Sequence, residues 1–305
     1  MTAVGRHRPT VAPGIQTTLN EAADLCDLAR DLFVDFGVRT EWEVEPGSPR
    51  DLAAQDARRQ FGPGGTWDDS LIVQGSFHAQ LYLLLAAQHL GGLASLLRTG
   101  EAAFPIAPVA RSVAEAAARV IWLLDNELPR VRQRCARVLH DLIDSSQRRK
   151  TSALAFNHPD APKIGGEHAR LRKQTLPRLF YASEIQVEDN GDLVICNQRL
   201  LGPSRMVKEA GRVTGTAAIQ ASYDYLSSAT HPTASAIGEW LTTTQDVSGL
   251  VRYDVRIDDA VYPTRVAGNA VADFHRAWRQ AIFWFGLDPK ENDLLRRAHT
   301  AVTTR

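Results

Sequence analysis

Two groups of residues in this chain have the types and spacing to do chemistry. The first is Arg134 and His140 in "RCARVLH", on a segment of helical periodicity. Histidine exchanges protons near neutral pH, and arginine steadies developing negative charge, so the pair has residue types suited to acid–base chemistry. The second joins two distant stretches. In "ARSVAEAAARVIWLLD", Arg111, Glu115 and Arg119 stand at i, i+4 and i+8 and form one charged ridge on an apolar helix. In "YDYLSSATHP", Tyr225, Ser227 and His231 sit at the end of another helix. Brought together, these six side chains would line a pocket for a small polar ligand.

Helical geometry limits both groups. Arg134 and His140 lie about 240° apart around one helix, so they meet only through a kink or a partner chain. A structural reading has His140 pairing with Asp144 one turn on. Flanked by alanine and valine, the Arg111 ridge is expected to be partly buried and therefore paired. His231 precedes Pro232 at a helix C-terminus, where the dipole favours an imidazolium without any catalysis. A Ser227–His231 nucleophile would lack an evident oxyanion hole.

Familiar catalytic signatures are missing. The chain has no GxxxxGK[ST] loop, GxGxxG turn, GxSxG elbow, HExxH helix or paired CxxC. Its nine histidines are scattered without a His-x3-His pair, so neither metal nor cofactor is expected. Cys26, Cys135 and Cys196 are far apart, which fits a reducing, cytoplasmic setting rather than a disulfide framework.

The chain has 305 residues, 44% hydrophobic and 23% charged, enough for a sizeable core. Its formal net charge of zero is a sum of unequal parts. Residues 1–70 carry 7 basic and 12 acidic side chains, whereas residues 128–180 carry 12 basic and 4 acidic. A basic middle of this kind attracts phosphate, which makes RNA a candidate partner. The most apolar window, residues 79–97, is as long as a membrane span. Gln80, Gln88, His89 and Gly91-Gly92 interrupt it, so a buried helix is expected and no membrane partner.

The elements that must position these residues are mostly helices. Residues 1–16 read as a flexible tail without a secretory signal, and residues 17–305 as a single domain. Residues 17–37 place Leu19, Ala22, Ala23, Cys26, Ala29, Leu32 and Phe33 on one stripe, with Gly37 as a stop. Residues 71–98 form a central apolar helix. Another follows Pro108, and Pro129 separates it from the helix carrying Arg134, whose outer face is mostly arginine. A short basic helix is expected near 165–175. Asn190-Gly191 between β-prone runs predicts a tight hairpin over 184–196, and 251–258 alternates as a strand. A helix over 214–230 turns Ala218, Ala221, Ser222, Tyr225 and Leu226 inward. The last helix, 266–287, has Phe274, Trp278, Ile282 and Phe285 as its stripe and Gly286 as its end. The fold class is mainly α, a helical bundle with a small β element.

Arg134 and His140 resemble the Arg-x(4 to 6)-His motif of the HEPN superfamily, although Cys135 departs from the polar residue usual after the arginine. That superfamily comprises small helical bundles and includes RNases of toxin and phage-defence systems, with the pair acting at a cleft usually formed across a dimer. The wider pattern of "ARSVAEAAARVIWLLD" followed by "YDYLSSATHP" is similar to a group of largely helical actinobacterial proteins, loosely HEPN-like, over about residues 70–285. The resemblance implies a bacterial cytoplasmic protein, a helical fold and a homodimer. Three functions follow as expectations. The first is a HEPN-like protein acting through RNA or a protein partner; the second, a metal-independent ribonuclease using Arg134 and His140. The third is a small-ligand binder at Arg111, Glu115 and His231.

Overall fold

The computed structural model describes residues 11, 13–100, 105–128, 130–216, 218–230, 241–245, 251–255 and 260–303. The protein is mainly α-helical, with small antiparallel β elements. Helix α1 spans Pro13–Thr40, α2 Pro49–Ala57, α3 Ser70–Thr99, α4 Ile106–Leu123 and α5 Val131–Ala155. A continuous helical stretch then runs through α6, Ala161–Arg170, a π-helical turn, Leu171–Thr175, and α7, Leu176–Leu179. Helices α8, Pro203–Thr214, α9, Ala218–Thr230, α10, Val261–Phe285, and α11, Lys290–Thr303, complete the described helices.

The centre is built from α3, α4 and α10. Helix α3 packs on α1 and α4; α10 packs on α4, α1 and α3; α8 and α9 cover α4. The stripe Phe274, Trp278, Ile282 and Phe285 is fully enclosed, and Trp278 meets Phe33 edge-on at 5.8 Å between centroids. Gly75 lets α3 approach α5, because a Cβ there would come 2.5 Å from Val138 Cγ2. Helix α3 is the one described helix long and apolar enough to cross a membrane by length and composition. Its inner side holds Leu83, Leu90 and Leu97 in the core, and its outer side leaves Val73, Phe77, Leu81 and Leu85 exposed.

Several expected boundaries move. Helix α1 begins at Pro13, which a first helical turn tolerates, and passes through Gly37 to Thr40. Gly37 is a contact site for the Trp42 indole rather than a stop. The turn after it contains α2, capped by Ser48 Oγ accepting from Asp51 N at 3.3 Å. The expected helix over 214–230 is α9, which begins at Ala218; Thr214 instead ends the preceding helix α8, which Gly215 closes at φ +68°.

The small sheets are local. Strands β1, Phe61–Gly62, and β2, Gly65–Thr66, form a minimal hairpin. Strands β3, Ile185–Val187, and β4, Leu193–Ile195, pair as the sequence predicts, with β5, Gln198–Arg199, added beside β4. The turn is not the expected two-residue type. Glu188 N donates to Asp192 O and Gly191 N to Glu188 O, and of Asn190 and Gly191 only Gly191 has positive φ, at +85°. That is a three-residue loop with glycine at its left-handed position. Strands β6, Leu241–Gln245, and β7, Val251–Val255, pair antiparallel. The expected strand residues 256–258 and most of the expected tail lie outside the described residues.

Candidate functional site

Helix α5 was expected to turn its arginines outward. Its first half turns three inward instead. Arg132 Nε donates to Glu184 Oε1 at 2.8 Å, while its guanidinium lies 4.5 Å from the Trp67 ring centre. Arg137 donates to the Trp122 carbonyl at 2.8 Å and to buried Asp125 at 3.1 Å. Arg134 is 7% exposed, with its guanidinium 4.4 Å from the Trp284 ring centre. Burial pushes its pKa down to about 10, and its Nη1 has no hydrogen-bond partner. Flat guanidiniums stack on indole faces, and a helical pattern that scores arginine as polar misses this.

His140 is also buried, at 3% exposure. Its Nε2 donates to the Gln198 carbonyl at 2.9 Å, and burial holds its pKa below the usual value. Asp144 pairs with Arg119 and Arg148, so the expected His140–Asp144 contact does not form. Arg134 and His140 therefore serve different neighbours, Trp284 on α10 and Gln198 on β5. His140 does line a cleft of about 280 Å³ between α5, α6 and the hairpin, with Asp144, His168 and Arg172. Ser146 Oγ donates to the Ile143 carbonyl, so it accepts from His168 Nδ1 at 2.9 Å, leaving His168 Nε2 as an acceptor.

The Arg111 ridge is partly buried, as its apolar flanks predict, but divides between two networks. Arg111 Nε donates to Glu115 Oε1 at 2.9 Å, and Arg111 Nη2 donates to Tyr223 Oη at 3.2 Å. Tyr223 Oη donates to Glu115 Oε1 at 2.8 Å and closes a triangle between α4 and α9. The tyrosine in this triangle is Tyr223, not Tyr225. Ile219, Tyr223 and Leu226 share the inward face of α9; Tyr225 is about 200° from Tyr223 around the helix, is exposed, and meets Tyr262 edge-on at 5.6 Å. Ser227 is half-buried on the same helix. His231 lies outside the described residues.

Arg119 belongs to a second network, centred on Asp141 of α5. Asp141 is fully buried and accepts from His78 Nδ1 at 2.7 Å, Tyr82 Oη at 3.0 Å and Arg119 Nη1 at 3.0 Å. The carboxylate fixes Nδ1 of His78 as a protonated nitrogen. Burial, then the Asp141 charge, pushes the Tyr82 hydroxyl pKa up. Burial opposes the charge of Arg119, but Tyr82, Asp141 and Asp144 outweigh it and raise its pKa. Sequence spacing gave no signal for this hub, whose members lie on α3, α4 and α5. Among the described residues no group of three His, Cys, Asp or Glu side chains is placed to hold a metal.

The second half of the basic segment stays outside. Arg148, Arg149, Lys163, Arg170, Arg172, Lys173 and Arg178 are exposed on α5 and the helical stretch over 161–179. Arg148 pairs with Asp144 and Arg149 with Glu167. Among the described residues the other five have no carboxylate within 4.0 Å. The π turn carries Arg172 and Lys173; such turns distort a helix locally and recur at functional sites. Comparison with known proteins finds no matching family model, no similar curated protein and no matching solved structure.

Proposed function

We propose that the protein binds single-stranded RNA through the helical stretch over 161–179. One observation carries this reading: Lys163, Arg170, Arg172, Lys173 and Arg178 are exposed without a carboxylate partner. Unpaired cations release condensed counterions when they meet phosphates, and that release drives binding at moderate salt. The HEPN-like resemblance agrees with an RNA partner. The test is fluorescence anisotropy with a labelled 20-nucleotide RNA. A variant combining Arg170→Glu, Arg172→Glu and Lys173→Glu should weaken binding by at least about a hundredfold and flatten the salt slope, at about 0.7 per lost phosphate contact. Equal binding by wild type and variant, or no wild-type binding at low salt, overturns the proposal.

A second reading, the metal-independent ribonuclease, is favoured by His140 sharing its cleft with His168 and Arg172. In that cleft one neutral histidine would take the 2′-hydroxyl proton, the other as imidazolium would protonate the leaving 5′-oxygen, and Arg172 would hold the phosphate. Burial keeps both histidines below their usual pKa. The imidazolium form would then require acid, so cleavage would peak below about pH 6.5. Incubation with total RNA and EDTA across pH 4.5–8 tests it. Undiminished cleavage by His140→Ala and His168→Ala, or none by the wild type, removes this reading.

A further inference from the structure

A cleft of about 650 Å³ lies where α10 meets α11 and the end of α8, and its lining includes none of the site residues described above. Arg276 and Arg279 line it from α10 and Arg296 from α11. Arg276 is tied to buried Asp273 at 2.9 Å and Arg296 is loosely held by Asp293 at 3.6 Å. Among the described residues Arg279 has no carboxylate within 4.0 Å. Glu127, the acidic side chain in the lining, is already paired with Arg212 at 3.0 Å. The cleft is therefore cationic. Exposed Phe283, with Val213 and Ala272, supplies the apolar part of its lining.

Two buried polar atoms in the lining residues have no protein partner: Asn126 Oδ1 and His275 Nε2. A buried donor left unpaired costs about 1–3 kcal/mol, so His275 Nε2 beside three arginines favours a ligand oxygen, whereas Asn126 Oδ1 calls for a donor. Burial, then Arg279, Arg276, His299 and Arg296, drives the His275 pKa down to about 4. His299 itself is engaged with the Gly268 carbonyl at 2.9 Å.

We propose that this cleft binds a small organic oxyanion, a phosphate monoester or a carboxylate carrying a compact apolar group. Its charge would meet the Arg279 and Arg296 guanidiniums, its apolar part would rest on Phe283, and one of its oxygens would accept from His275 Nε2. The guanidinium fork suits either oxyanion, and phosphate gives it more acceptors.

Calorimetric titration with phenyl phosphate, benzoate, inorganic phosphate and uncharged benzyl alcohol tests the site, alongside NMR of the histidine ring protons. Phenyl phosphate or benzoate should bind saturably, whichever is tighter identifying the acid group, and inorganic phosphate more weakly. Benzyl alcohol should not bind. Arg279→Gln and Arg296→Gln, both on exposed side chains, should each weaken binding about tenfold, or roughly 1.4 kcal/mol. The His275 midpoint should rise by about one unit on saturation, because an anion offsets the neighbouring arginines. Absence of saturation up to 10 mM, benzyl alcohol binding as well as phenyl phosphate, or unchanged affinity in both variants overturns the proposal. The same two variants should bind RNA normally, so failure here is separate from failure of the RNA reading.

Discussion

The hub at Asp141 and the cleft at Arg279 are both built from charged side chains on neighbouring helices, yet they are finished to different degrees. At the hub one buried carboxylate is matched by a histidine, a tyrosine and an arginine from two other helices. In the cleft Arg276 and Arg296 have aspartate partners, but among the described residues Arg279 has no carboxylate and two buried polar atoms lack partners. A satisfied buried network fixes helices in register; an unsatisfied one holds groups ready for something the chain does not supply. By this measure the Arg111–Glu115–Tyr223 triangle also belongs with the finished networks. It braces α4 against α9.

The sharpest way to break the comparison is at Asp141. Asp141→Ala should leave Arg119 and His78 without their shared carboxylate and cost about 3–5 kcal/mol, read from urea unfolding. A loss below about 1 kcal/mol would mean that the hub is not structural. Asp273, beside the cleft, comes next. Burial pushes its pKa up to about 7 against the Arg276 attraction, so the folded state holds this proton more tightly than the unfolded chain. Its contribution to stability is full below about pH 4 and is lost as pH rises through 7. Asp273→Asn should flatten the fall in stability between about pH 4 and pH 7, by an amount on the order of a few kcal/mol. Persistence of the full slope would assign it to other groups.

Smaller effects sharpen the contrast. Tyr223→Phe removes two hydrogen bonds from the triangle and should cost about 1–2 kcal/mol by thermal or urea unfolding. Arg134→Met should be near neutral or stabilising, because it replaces a buried charge with an unpartnered Nη1 by an apolar side chain of similar length. A large loss of stability would show that the Trp284 contact is worth more than the burial of the charge. Last, Arg279→Gln and Arg296→Gln should alter stability by less than about 0.5 kcal/mol while changing oxyanion binding, since both side chains are exposed.

Much of the fold was legible because helical periodicity reports which face is buried. The α1 stripe through Phe33, the α10 stripe through Phe285 and the bounds of α3 all follow from it. Periodicity does not mark a polar or charged residue that is buried by a partner distant in sequence. Arg134 and Arg137 lie on faces that the pattern scores as exposed, because Trp284 and the Trp122–Asp125 turn receive them. On α9 the apolar letters alone did not settle the phase, and Tyr223 rather than Tyr225 proved to be the inward tyrosine. Helices α2, α8 and α11 escaped because their apolar faces are short.

By itself, then, the sequence determined a mainly helical protein, its long core helices, the β3–β4 hairpin and the concentration of positive charge in its middle. Those features are set by neighbours within a few residues and by the cost of exposing apolar stripes. Only the tertiary structure decided which charges are spent. Hydrogen bonds such as those joining His78, Tyr82 and Arg119 to Asp141 depend on helix placement, which no local spacing encodes. The same placement left the cations of 161–179, and Arg279 in the α10–α11 cleft, facing outward without a carboxylate partner among the described residues.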